Sequence, residues 1–284
     1  MTIRLPAMGD AQQAAWWSLM DLQVVHPTGW TLVGGQMVHL LCAERGAAPA
    51  RATDDVDTVL DVRGEPQILR GFTTSLKQLG FAPAGNTWQG HQHRWIRDEA
   101  VIDLLIPRHL GERASLRTGA GGGTTIETPG AQQALDRSED VEVDVAGHTG
   151  IVRRPNLLGA LVAKAAAYTV TLDPARDRHI ADFAVLATLL RPDDPMDTAT
   201  SRDREHLGNI LAATDAAPRT WSSVTGARDG LDRLRLSLEL RPASQAPEPR
   251  QTSTPAWAQG HRPKGRPAGG EFTTRPRGEP DIDL

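Results

Sequence analysis

What the chain has least of narrows it first. One cysteine, Cys42, in 284 residues excludes an internal disulfide and any cysteine-built zinc site. No run approaches the roughly 18 apolar residues that cross a bilayer, so no membrane partner is expected. Met1 to Asp10 lacks the apolar segment of a signal peptide, which makes the cytoplasm the expected location. Nor is there a surplus of positive charge: 31 Lys and Arg face 35 Asp and Glu, a formal net charge of −4. A nucleic-acid partner would therefore have to meet a local basic patch rather than a general field. What remains is ample, since 39% hydrophobic residues over this length can build one large core or two small ones.

The most informative stretch runs from Thr31 to Val62. A short apolar run, Thr31-Leu32-Val33, stops at Gly34-Gly35, and a helical pattern with Met37, Leu40 and Leu41 follows. A small-residue loop then delivers Arg51-Ala52-Thr53-Asp54-Asp55-Val56-Asp57 into a second apolar run, Val59-Leu60 and Val62. Adjacent glycines at a strand-to-helix turn let backbone approach a ligand, and the helix N-terminus behind them favours phosphate. Asp55 and Asp57, two apart at the start of a strand, share a face. Carboxylates side by side repel unless a cation sits between them, and oxygen ligands suit Mg²⁺. Alone, a Gly-Gly turn is commonplace and an Asp-x-Asp is more often a solvated loop. With Arg51 and Thr53 in register, the balance moves to a triphosphate site facing a metal site.

In this order and spacing, LVGGQMVHLL followed by RATDDVD resembles the Gly-Gly…Arg-x-Thr-x-Asp-x-Asp signature of polymerase-beta-like nucleotidyltransferases. It is most similar to the AbiEii/MenT type, the toxin members of bacterial type IV toxin–antitoxin pairs. The resemblance implies an α+β fold: a mixed sheet with flanking helices (residues 1–153), then a C-terminal helical bundle that completes the nucleotide site (154–240). It also implies Mg²⁺ or Mn²⁺ held by Asp55 and Asp57, an NTP substrate bound through Gly34, Gly35, Arg51 and Thr53, and a cognate antitoxin partner. The favoured acceptor is the tRNA 3′ end. An aminoglycoside-like small molecule, a protein acceptor and a non-catalytic nucleotide-binding role stay open, and an acidic acceptor pocket would mark the first of these.

The rest of the chain supplies further candidates. Residues 10–25 read as a helix with Asp10 as N-cap; Trp16 and Trp17 suit packing better than a base-stacking platform. A helix is expected from Pro66 to Leu79, and strand character over Phe81–Gly90 and His91–Arg97. Asp103 stands isolated in the apolar run Ala100–Pro107, where a buried carboxylate needs a partner. The resemblance makes it a general base or third metal ligand; a structural pairing with Arg94 or Arg97 is the alternative. The Arg- and Gly-rich stretch 108–123 is expected to be a mobile loop. Helices are expected after Pro155 and Pro174, and over 199–213 and 226–240. By resemblance Lys164 completes the nucleotide site together with Asp182, which is favoured over Asp177. Beyond Arg241 a Pro-, Gly- and Ser/Thr-rich composition predicts a disordered tail over 241–284.

Overall fold

Helix α1 (Asp10–Val25) turns Ala15, Trp16, Leu19, Met20 and Leu22 inward, the three-and-four spacing of an amphipathic helix. The structure is a computed structural model that describes residues 1–171 and 173–239, so the expected tail lies outside the described residues. The N-cap of α1 is Gly9 rather than Asp10. Asp10 instead enters the first turn, where its carboxylate favours the positive end of the helix dipole. Trp16 packs in the core, whereas Trp17 is exposed. Trp16 is wholly buried and its Nε1 donates to Gln36 Oε1 at 3.3 Å, while Trp17 Nε1 donates to the Val145 carbonyl at 3.1 Å.

β2 (Trp30–Val33) is buried throughout and runs directly into α2 (Gly34–Arg45), which ends at Gly46 in the left-handed region. The chain returns antiparallel to β2 as β3 (Val56–Leu60). After α3 (Ile68–Gln78) come β4 (Ala82–Pro83), β5 (Arg94–Arg97) and β6 (Ala100–Pro107). β4 and β5 fall short of the expected strands because Pro83 has no N–H for a ladder, and Gly85 and Gly90 turn the backbone to positive φ. The sheet order is β2-β3-β6-β5-β4, with β7 (Ile126–Thr128) beside the far end of β6. β3 and β7 run parallel to β6 and the other pairs are antiparallel, so the sheet is mixed. Residues 108–123 hold a short helix, α4 (Glu112–Ser115), and are tied to α3. Lys77 Nζ donates to the Ala120 carbonyl at 2.9 Å, and the Ala120 N–H donates to Thr73 Oγ1 at 2.8 Å.

Register matters most for function. Val33 lies opposite Asp57, Asp57 opposite Asp103, and Asp103 opposite Arg94. Laterally paired residues share a sheet face, so four strands lay one row of side chains across the sheet.

A second, smaller sheet joins β1 (Ile3–Arg4), β8 (Ser138–Val145) and β9 (His148–Pro155), after the helical turn α5 (Ala131–Asp136). β8 and β9 reverse through Ala146 and Gly147, both at positive φ as a tight hairpin turn requires.

The helical section follows. α6 (Leu157–Tyr168) is capped by Asn156, whose Oδ1 accepts from the Gly159 N–H at 3.0 Å. α7 (Arg178–Thr188) begins later than Pro174 because Asp173 nucleates a separate turn, accepting from the Ala175 N–H at 2.9 Å. α8 (Ser201–Ala216) carries a capping box between Thr200 and Asp203, and α9 (Ala227–Glu239) closes the described chain. Trp16, Leu32 and Ile102 belong to the same buried apolar cluster as Leu161, Phe183, Leu207 and Leu231. The chain is thus α+β: a mixed sheet with flanking helices, followed by a helical section. Among the described residues no helix is long and apolar enough to cross a membrane.

Candidate active site

The glycine pair is explained by what crowds it. Gly34 opens α2 at φ +70°, and a side chain there would overlap the Asp57 carboxylate. A Cβ on Gly35 would lie 2.6 Å from Thr53 Cγ2. Glycine at both positions therefore lets the α2 N-terminus come against Asp57 and Thr53. No side chain caps that terminus, so its first N–H groups are free to meet an anion. The Thr53 carbonyl accepts from Gln36 Nε2 at 2.7 Å and Gln12 Nε2 at 3.1 Å, which fixes the loop that carries Asp55.

On the sheet, negative charge exceeds its compensation. Asp57 is half-buried and accepts no hydrogen bond from any described residue. Burial, then the neighbouring Asp103 charge, pushes its carboxyl up to about 6. Asp103 is buried and its two oxygens are both taken by Arg94, Nε to Oδ1 at 2.9 Å and Nη2 to Oδ2 at 2.7 Å. Arg94 Nη2 also donates to Asp55 Oδ2 at 2.7 Å. Of the two expected pairings for Asp103, register selects Arg94. Arg97 lies opposite Ala100 and donates elsewhere, to the Leu79 carbonyl at 2.8 Å.

The facing helices hold the opposite case. Lys164 Nζ donates to Asp182 Oδ2 at 2.7 Å, and Arg51 adds Nε to Oδ1 at 3.1 Å and Nη2 to Oδ2 at 2.9 Å. Burial pulls the Lys164 ammonium below its usual range, with Asp182 opposing. Burial pushes Asp182 up, but the Lys164 charge and the Arg51 hydrogen bond outweigh it and hold the carboxyl below the usual range. Asp177 is exposed at the N-cap of α7 and takes no part in this cluster. His39 Nε2 donates to the Arg51 carbonyl at 2.8 Å and so orients the arginine from behind.

A cavity of about 310 Å³ lies between these walls. Gly34 and Asp57 line it from the sheet side, Ala163 and Lys164 from α6, Arg178 and His179 from the start of α7, and Arg108 and Glu127 from the far end. Gly35, Arg51, Thr53, Asp55, Asp103 and Asp182 do not line it, and Arg51 and Thr53 line a separate pocket with Gln12, Gln36 and His39. His179 is pushed down to about 4 by burial and by the Lys164 and Arg178 charges, which leaves a neutral imidazole on the wall at neutral pH. The sequence placed Arg178 and His179 at a helix start without assigning them to the site; the cluster Arg176-Asp177-Arg178-His179 was the available signal.

The cavity adjoins a larger groove of about 700 Å³, with Arg108, Pro129 and Ala131 on both linings. Arg63, His109, Arg137, Arg202 and His206 face it, against Asp136 and Asp203. Arg137 is spent on Asp203 at 2.7 Å. Arg63, Arg108 and Arg202 are exposed and make no ion pair among the described residues, so the groove is basic.

The donor chemistry fits a divalent cation only in part. Among the described residues no group of three or more His, Cys, Asp and Glu side chains is arranged to hold a metal. Asp55 and Asp57 offer oxygen donors suited to Mg²⁺, and such an ion would offset the burial and the Asp103 charge that raise Asp57. Both Asp103 oxygens already accept from Arg94.

No protein family and no curated protein matches the chain. Solved structures similar to it include the following two. One is the antibiotic-resistance factor ANT(2'')-Ia in solution, at 13% identity and TM-score 0.41 over 75% of this chain and 97% of that one. The other is an antigenic nucleotidyltransferase-like protein from Paracoccidioides brasiliensis, at 16% identity and TM-score 0.45 over 75% and 93%. Likeness at this level carries nothing about reaction or substrate.

Proposed function

We propose that the protein is a nucleotidyltransferase that moves a nucleotide from an NTP to an acceptor hydroxyl, the tRNA 3′ end, as the toxin of a toxin–antitoxin pair. The observation that carries the transfer reading is the meeting of the open α2 N-terminus at Gly34, Asp57 with no hydrogen-bond partner among the described residues, and the buried Lys164 on one cavity. The acceptor oxygen attacks the α-phosphorus, the bond to the β-phosphate breaks, and pyrophosphate leaves as the hydroxyl proton passes to solvent. The α2 N-terminus at Gly34 receives phosphate oxygens, and Gly35 lets that terminus close against Thr53. Lys164 faces the charge that develops on the leaving pyrophosphate. Asp182 and Arg51 hold that lysine, and Thr53 seats Gly35. Asp55 and Asp57 would hold Mg²⁺ or Mn²⁺, which would supply Lewis-acid stabilisation of the charge developing in the transfer. On this reading residues 1–153 form the nucleotidyltransferase domain, 154–240 supply the helical wall with Lys164 and Asp182, and 241–284 are a tail.

The charge of the adjoining groove favours a polyanionic acceptor over a polycationic one. Arg63, Arg108 and Arg202 suit nucleic-acid phosphates and would repel an aminoglycoside. The toxin role rests on the sequence resemblance alone, that of the Gly34–Asp57 stretch and of the helices carrying Lys164 and Asp182, and a neighbouring antitoxin would support it. The deciding experiment mixes the protein and Mg²⁺ with each labelled NTP and total tRNA, beside Asp57→Ala. Label on tRNA with the wild type and none with the variant is expected. Transfer only to an added aminoglycoside or protein would move the acceptor, and no turnover with no nucleotide binding would overturn the enzyme reading.

A further inference from the structure

Arg94 sits where the metal-dependent reading above leaves room for a cation. Its guanidinium joins Asp55 to Asp103, and the two ends of this bridge differ. The Asp103 end is bidentate and its carboxylate is 9% exposed. The Asp55 end is a single hydrogen bond between side chains that are 41% and 43% exposed. Bidentate contacts to a buried carboxylate are the strong kind, whereas single contacts between half-exposed groups contribute little and exchange with solvent. Antiparallel pairing of β5 with β6 fixes Arg94 opposite Asp103, so the backbone also favours that end.

We propose that Arg94 is a resident counter-cation: it competes with the divalent metal for Asp55 while keeping Asp103 out of the metal's coordination. The proposal rests on metal binding at Asp55 and Asp57 and departs from a third-ligand or general-base role for Asp103. When metal binds, Asp55 turns from Arg94 to the ion. Asp103 stays with Arg94 and acts by positioning it. The arginine thereby offsets the repulsion among the carboxylates when no metal is bound, and sets how tightly the ion must bind to displace it.

The test is Mn²⁺ titration of the metal-free full chain without nucleotide, followed by the electron paramagnetic resonance of free Mn²⁺, with circular dichroism to confirm folding. Arg94→Gln should bind Mn²⁺ more tightly, by about threefold or more, because a competing charge at a half-exposed site is gone. Arg94→Lys, which keeps the charge and loses the fork, should fall between the two; it also serves if the Gln variant does not fold. Asp103→Asn should lose no more than about 10–100-fold, the scale for a group outside the coordination sphere. Arg94 variants with unchanged or weaker affinity would overturn the competition, and a larger loss in Asp103→Asn would make Asp103 a ligand. Either result in a chain that binds Mn²⁺ leaves the transferase reading standing. Absence of binding in the wild type and in every variant overturns both.

Discussion

Two ionic clusters face each other across the cavity and are built on opposite principles. On the helical wall Asp182 accepts hydrogen bonds from both Lys164 and Arg51, so one buried carboxylate has two cations and every oxygen is used. On the sheet three carboxylates, Asp55, Asp57 and Asp103, share one guanidinium, and Asp57 receives no hydrogen bond from it. A buried charge that is fully paired supports structure. One that is left short of partners raises the energy of the empty state and is relieved when a ligand brings the missing charge. The helical wall is a finished support for Lys164, and the sheet has one hydrogen-bonded guanidinium for three carboxylates.

Breaking the finished side should have the largest effect. Asp182→Ala leaves the buried Lys164 ammonium without its hydrogen-bonded carboxylate. A loss of about 3–5 kcal/mol in denaturant unfolding is expected, the scale for removing one partner of a buried ion pair. The double variant Asp182→Leu with Lys164→Met should recover most of that loss, because the charge and its partner leave together. Equal losses in the single and double variants would show that the cluster is not compensated as described.

The unfinished side should respond with the opposite sign. Asp57 titrates near 6 in the folded chain, above its usual 3.8, so the folded state holds this proton more tightly than the unfolded one. Its contribution to stability is therefore full below about pH 4 and is lost as pH rises through about 6. Asp57→Asn removes the charge and should stabilise the metal-free protein at pH 7 by about 1–2 kcal/mol, discounted for partial exposure. The gain should vanish at pH 4, while nucleotide transfer at pH 7 is abolished. Thermal unfolding at the two pH values checks it, and a destabilised variant at pH 7 would mean that Asp57 has a structural partner.

This contrast was half visible in the sequence. Gly34-Gly35, Asp57 and the isolated Asp103 stand out because each breaks a local expectation: two glycines opening a helix, and charges entering apolar strands. The folded reasons are close approach, of Gly34 to Asp57 and of Gly35 to Thr53. What was not legible depended on register and on distant segments. Arg94 and Arg97 were equal partners for Asp103 until the Asp98–Glu99 turn, with Asp98 at φ 52°, set Arg94 opposite it. Asp182 separates from Asp177 only because α7 starts at Arg178, which turns Asp182 inward and leaves Asp177 exposed. The basic groove brings Arg63, Arg108 and Arg202 together from three parts of the chain, and no local pattern announces that. The short β4 and β5 show proline and glycine overriding strand propensity over residues 81–97.

The smallest expected effect tests whether burial, rather than pairing as such, separates the two clusters. Arg4 Nε meets Asp144 Oδ2 at 3.3 Å across β1 and β8, but the arginine is 84% exposed. Water already solvates that guanidinium, so holding it in one geometry gives back in entropy most of what the contact gains. Arg4→Ala should change unfolding stability by less than about 0.5 kcal/mol, and that change should shrink further in 1 M salt. A loss on the scale of Asp182→Ala would mean that ion pairs in this fold act through the pairing itself. The deficit on the sheet would then be a matter of missing contacts rather than of charge held away from water, and Asp57→Asn should no longer stabilise.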